Sequence, residues 1–154
     1  MKRALVCALA LVMMVMLAAC GGGKNVDVDM NGLAAALLDS GVFTDVLSPV
    51  PEGAAPRTYG AAAEDVAACV MYSSTGATAE EIFIAQAVDS AAASRIEGQA
   101  HTRMENQQTA FQNYAPEELP KLRNAVIETA GDYVIVVVSG DAAAAQAIVD
   151  GYIG

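Results

Sequence analysis

Two side chains in the middle of this chain could act together. Arg103 and Gln107 are four positions apart, so a helix through them carries both on one face, one turn from each other. Ile96, Ala100 and Phe111 recur on that face. A guanidinium among apolar neighbours needs an acidic or carbonyl partner. An anionic ligand would supply one, and so would Glu81 or a loop carbonyl, which makes Arg103 and Gln107 a candidate pair for binding or for structure. Arginine on such a face usually packs its stem and ties down a neighbouring loop. Its loss is then expected to destabilise the fold.

Catalytic alternatives find fewer parts. His101 is the only histidine and completes no visible triad. Ser73, Ser74 and Thr75 have no base near them in sequence, so an activated hydroxyl lacks its machinery. Two-carboxylate chemistry needs acids held in different environments. Glu80-Glu81 and Glu117-Glu118 read more naturally as solvated charges, the first pair at a turn and the second in the first turn of a helix. Asp27-Val28-Asp29-Met30-Asn31-Gly32 matches the first half of a calcium loop, in which alternate oxygens and a glycine wrap a hard cation. The twelfth position from Asp27 is Leu38, where a bidentate carboxylate is required, so the segment reads as an extended lead-in. No glycine-rich phosphate loop and no zinc-type spacing is present. No catalytic residue, metal or cofactor is assigned.

A third kind of chemistry belongs to the chain's beginning. Met1-Lys2-Arg3 precedes an apolar stretch ending in Leu17-Ala18-Ala19-Cys20, with Gly21-Gly22-Gly23 directly after it. A basic start, an apolar core and small residues before a cut describe a secretory signal. Leu-Ala-Ala-Cys resembles the lipobox of bacterial lipoproteins, in which the cysteine is lipidated. A membrane-spanning helix would take about 20 apolar residues, and only the stretch 4–19 qualifies. The expected organisation is a lipoprotein signal peptide over 1–19, lipidated Cys20 with a flexible tether over 20–30, and one α+β domain over 31–154.

Composition supports that organisation. The chain has 18 acidic and 8 basic residues, a net charge of −10, and Lys2 and Arg3 would leave with the signal. Such a field repels phosphate backbones and anionic headgroups. Nucleic acid is therefore excluded as a partner, and membrane attachment rests on the lipid. With Cys7 in the signal and Cys20 lipidated, Cys69 is left alone, so no internal disulfide is expected. Its surroundings, Ala67-Ala68-Cys69-Val70-Met71-Tyr72, suggest an inert buried thiol.

The elements that must position these residues follow from periodicity. Asn31 can cap a helix over 32–40, with Leu33, Leu37 and Leu38 at helical spacing. Residues 48–56, rich in proline and glycine, read as an exposed loop. Strands are predicted over 67–73 and 80–88, joined by a turn over 74–79. A long amphipathic helix follows over 89–114, then a short one opened by Pro116 and running to 122. Strands over 124–129 and 133–139 flank a tight turn, and a last helix covers 141–152. The unbroken Val134 to Val138 run suggests burial on both faces. Joining the hairpins gives an α+β two-layer sandwich: a four-stranded antiparallel sheet with helices packed on one face, in the order β-β-α-β-β-α after an N-terminal helix.

With the elements placed, a family resemblance emerges. Four stretches carry it: Gly76-Ala77-Thr78-Ala79-Glu80-Glu81-Ile82; the stripe Arg103, Gln107, Phe111, Tyr114; Pro116-Glu117-Glu118 with Lys121-Leu122 and Ala125-Val126-Ile127; and Gly131-Asp132-Tyr133-Val134 ending in Val138-Ser139. In order and spacing they resemble the domain-of-unknown-function family numbered 4358, small lipoproteins of Gram-positive, clostridia-type bacteria, across roughly residues 32–153. The resemblance brings no activity with it. It implies a surface lipoprotein with an accessory role. The expected function is that of a membrane-tethered extracytoplasmic lipoprotein, a binding or accessory module of the cell envelope. It would be held to the outer face by lipid on Cys20 and would meet an envelope protein or a small ligand. The alternative is a carboxylate-dependent cell-wall enzyme.

Overall fold

Consecutive residues of β3 (Glu81–Ala87) and β5 (Tyr133–Val138) face opposite sides of the sheet, yet nearly all of them are buried. A strand of that kind needs cover on both sides, and the architecture follows from this requirement. The computed structural model describes residues 26–154; the expected signal over 1–19, Cys20 and the glycine-rich stretch 21–25 lie outside the described residues. Besides β3 and β5, the chain forms α1 (Met30–Asp39), β1 (Ser48–Pro49), α2 (Ala55–Tyr59), β2 (Val66–Ser73), α3 (Ser90–Tyr114), α4 (Leu119–Arg123), β4 (Val126–Ala130) and α5 (Ala142–Ile153). Single 3-10 turns over Ala63–Asp65 and Pro116–Glu118 lead into β2 and α4.

The strands form one antiparallel sheet in the order β1-β2-β3-β5-β4. Two hairpins meet along β3 and β5, with Glu81 opposite Val138 and Gln86 opposite Tyr133. The β4–β5 turn is tight because Gly131 takes a positive φ of 59°, which suits the first position of a two-residue hairpin loop. On one face Phe83, Ala85, Ala87, Val134, Val136 and Val138 pack against α3 through Ala92, Ala93, Ile96, Ala100, Met104 and Phe111. On the other, Ile82, Ile84, Ile135 and Val137 pack against Leu33, Ala34 and Leu37 of α1 and Ala145 and Val149 of α5.

The α+β class and the antiparallel sheet are those expected from the sequence, and two details differ. The sheet has five strands rather than four, and helices cover both of its faces rather than one. The second difference follows from parity. Ile82 and Ile84 point away from Phe83 and Ala85, so α3 alone would leave a row of isoleucine and valine in water.

The segment 48–56 also carries more order than a loop. Ser48 and Pro49 pair with Ser73 and Tyr72 as a short edge strand, a position where the missing proline N–H breaks no ladder. Pro56 stands in the first turn of α2, where its fixed φ favours the helix. The consequence is functional, because α2 delivers the buried Tyr59 to the site described below.

Aspartates start the three longest helices among the described residues. Asp29 accepts a hydrogen bond from Gly32 N at 2.9 Å, Asp89 from Ala92 N at 2.7 Å and Asp141 from Ala144 N at 3.0 Å. The first cap is therefore Asp29, two residues before the expected Asn31, and α1 runs through Asn31 and Gly32. Replacing Asp89 with alanine strands an amide at the start of the helix that covers the sheet. The expected loss is about 1 kcal/mol, to be read from urea unfolding of the two proteins.

Candidate functional site

The loop between β2 and β3 ends in Glu80 and β3 begins with Glu81, and both are interior. Glu80 is 1% exposed and Glu81 2%, so the reading of this pair as solvated turn charges is corrected. Their compensating cations come from elements distant in sequence, which local pattern cannot show. Glu118 is buried as well, and the solvated reading of the second acidic pair holds only for exposed Glu117.

Glu81 lies on the side of β3 that faces α3. Its Oε1 accepts from Arg103 Nε at 2.9 Å and from the Tyr59 hydroxyl at 2.6 Å, and its Oε2 accepts from Arg103 Nη2 at 2.6 Å. Arg103 Nη1 also donates to the Thr58 carbonyl at 3.1 Å. The guanidinium lies 5.0 Å from the centre of the Tyr59 ring, which stacks on Phe83 at 3.9 Å. One arginine thus joins α3, α2 and the start of β3. Burial, and after it the Glu81 carboxylate, pushes the Tyr59 phenol well above its ordinary value of 10.0. Tyr59 consequently stays a neutral donor.

Glu80 points the other way and organises the segment between α1 and β1. It accepts from Thr44 N at 3.1 and 2.9 Å, from Thr44 Oγ1 at 2.9 Å, from Asp45 N at 2.9 Å and from Lys121 Nζ at 2.9 Å. Lys121 also holds Glu118 at 3.0 Å, and the other Glu118 oxygen accepts from Ala79 N at 2.9 Å. Burial alone would raise the Glu80 carboxyl. The Lys121 ammonium and the Asp45 and Thr44 amides outweigh it and hold the group below its ordinary 4.5. A general acid would need the opposite shift. Every oxygen of the three carboxylates already accepts a hydrogen bond, so these acids are fixed charges that hold the fold together.

Beside the ion pairs lies a cleft of about 370 Å³ between the β2–β3 loop and the second half of α3. Arg103 and Gln107 both line it, with Ser73, Ser74, Phe111 and Tyr114. The remaining sequence candidates are scattered. His101 borders a separate depression with Glu105 and Arg123. Asp29 caps α1, Asp27 accepts from the Tyr133 hydroxyl at 3.3 Å, and no group of acids, histidines or cysteines converges for a metal ion among the described residues. Cys69 is buried, and burial pushes its thiol up.

Tyr59 and Thr44 were not among the residues singled out from the sequence, and Lys121 entered there only through the family resemblance, not as a partner of the interior acids. Only Lys121 left a local signal, three positions after Glu118 on a short helix.

Fold and site together define a small α+β domain with ion-paired interior acids and a polar cleft at one end of its sheet. The chain belongs to the family described as Domain of unknown function (DUF4358), which matches residues 45–139. That span holds the whole sheet, α3 and the cleft, and is narrower than the resemblance read from the sequence; α1 and α5 lie outside it. No curated protein and no solved structure gives a significant match.

Proposed function

We propose that this chain is a lipid-anchored extracytoplasmic lipoprotein of a Gram-positive bacterium, and that its domain is a binding module of the cell envelope. The observation that carries the reading is the placement of the cleft relative to the tether. At the start of the described chain, Asp27 bonds Tyr133, at the end of β5 that pairs with Gln86 of β3. The cleft lies at the other end, beside Ser73 and Glu81. The length of β3 separates the two ends by about 20 Å at roughly 3.3 Å per residue. A domain tethered through its N-terminus would then present the cleft away from the bilayer.

The anchor itself rests on Leu17-Ala18-Ala19-Cys20 and the basic, apolar stretch before it. No helix among the described residues is long and apolar enough to cross a membrane, and in this reading the lipid supplies the attachment, two acyl chains binding stably where one is marginal. The carboxylate-enzyme alternative is less well supported, because Glu80, Glu81 and Glu118 are all engaged in ion pairs.

The test is Cys20→Ser. The expected result is loss of the processed protein from the membrane fraction, while the wild-type mature chain shows a diacylglycerol-modified Cys20 in its intact mass. A mature wild-type N-terminus without that modification, or full membrane retention of the serine variant after signal cleavage, overturns the anchor.

A further inference from the structure

The cleft beside Arg103 has hydrogen-bonding capacity that the fold leaves unused. Arg103 directs Nε, Nη1 and Nη2 to Glu81 and Thr58. A guanidinium has five N–H donors, so donors remain at a side chain that lines the cleft. The Gln107 amide, a donor and acceptor at once, and the Ser73 hydroxyl also line it, and neither forms a hydrogen bond among the described residues. Three planar or small polar groups therefore meet at one opening with capacity to spare.

Charge decides what they can hold. Arg103 is neutralised by Glu81, and Lys121 is shared by Glu80 and Glu118. An anionic ligand would have to break a buried pair to gain a counter-charge, in a chain whose net charge is −10. A cationic ligand would compete with Arg103 and Lys121 for carboxylates whose every oxygen already accepts a hydrogen bond. The cleft suits a neutral molecule.

An aromatic rim decides its shape. Tyr114 is 68% exposed, and its ring meets Phe111 edge-on with centroids 5.8 Å apart. Its hydroxyl donates to the Gly76 carbonyl of the β2–β3 loop at 3.4 Å, which leaves the exposed ring beside the cleft, a natural contact for a ligand with one apolar face. A flat molecule with an apolar face and a rim of hydroxyls would rest on Tyr114 and exchange hydrogen bonds with Gln107, Ser73 and the outer edge of Arg103. The volume of about 370 Å³ falls within the range of small-ligand sites.

We propose that this cleft binds a neutral saccharide, with Tyr114 as the stacking surface and Gln107 as the group that reads its hydroxyls. The proposal rests on the binding-module reading and names its ligand class. It is independent of the lipid anchor, which Cys20→Ser tests separately.

The experiment uses the ¹⁵N-labelled full-length protein in a sugar-free zwitterionic detergent, titrated with cellotetraose and chitotetraose, and in parallel with sodium acetate, inorganic phosphate and trialanine. Saturable shifts of the Gln107 side-chain amide and of the backbone amides of Tyr114 and Gly76, which also lines the cleft, are expected with a tetraose. Tyr114→Ala and Gln107→Ala should each weaken binding at least tenfold while leaving the melting temperature unchanged. Retention on cellulose or chitin beads would assign a polymer as the source, and tetraose binding without retention a free sugar. Shifts at these residues from acetate, phosphate or trialanine and none from the sugars overturn the saccharide and leave a binding module. Sugar binding that survives both substitutions overturns the site, and no shift with any probe overturns the cleft as a binding site.

Discussion

Arg103→Ala is expected to lower the stability of the domain by about 3 kcal/mol or more, because it strands a carboxylate inside the fold. Glu81 is 2% exposed, and without Arg103 it keeps only the Tyr59 hydroxyl as a side-chain donor. The lost bonds are charge-assisted and bidentate, and they are the only side-chain link from α3 to the start of β3 among those described. In a domain of this size such a loss should move the melting midpoint down by roughly 10 °C. The pair need not be stabilising relative to an apolar core, however. Arg103→Met combined with Glu81→Leu and Tyr59→Phe removes every stranded partner together, and should recover much of the loss. Thermal melts of the single and triple variants separate the two statements. A single variant that melts with the wild type would show that water reaches Glu81, and would leave the charge of Arg103 available to an anionic ligand.

What could be read from the sequence divides along the distance between partners. The spacing of Arg103 and Gln107 places both on one helix face, and the structure brings both to one cleft. The hairpins, the long helix and the terminal helix fall within a residue or two of their predicted limits, because alternation and helical spacing act over neighbouring positions. Glu80 and Glu81 are different. As residues of a turn they look solvated, and what buries them is Lys121, 41 positions away, and Tyr59 and Arg103, each 22 positions away. Arg103 with Glu81 was one of several partners the sequence allowed, whereas Tyr59 lies just beyond the 48–56 segment read as a loop, where no element was predicted. Pro49 and Pro56 in fact sit where proline is tolerated, at a sheet edge and in the first turn of a helix.

The number of layers was nearer to hand. A run such as Val134 to Val138 buried on both faces already requires two covering layers, and α1 and α5 carry the leucine and valine stripes to supply one of them. Assigning every helix to one side conflicts with that run. The conflict is visible only when strand parity and helix amphipathicity are required to agree.

The Glu80 cluster makes a second large effect measurable through pH. In the folded chain the Glu80 carboxyl titrates below its ordinary value of 4.5, so the folded state holds its proton less tightly than the unfolded state does. Stability from this group is complete above the unfolded value and is lost as pH falls through the folded one. Glu80→Gln keeps an acceptor for one amide but removes the charge that Lys121, Thr44 and Asp45 converge on. It is expected to cost about 2 to 3 kcal/mol above pH ~5. Below that the gap between the two proteins should narrow with each step toward acid, because the wild type loses what the variant never had. Asp65, whose carboxyl the Arg95 guanidinium also holds low, titrates in both proteins and cancels from the difference. Urea unfolding at a series of pH values measures the gap directly, and amide exchange at Thr44 and Asp45 should quicken in the variant, because the bonds that protect them end on Glu80. A gap that stays constant into acid would mean that Glu80 acts through packing alone, and that the segment between α1 and β1 is held by something other than its charge.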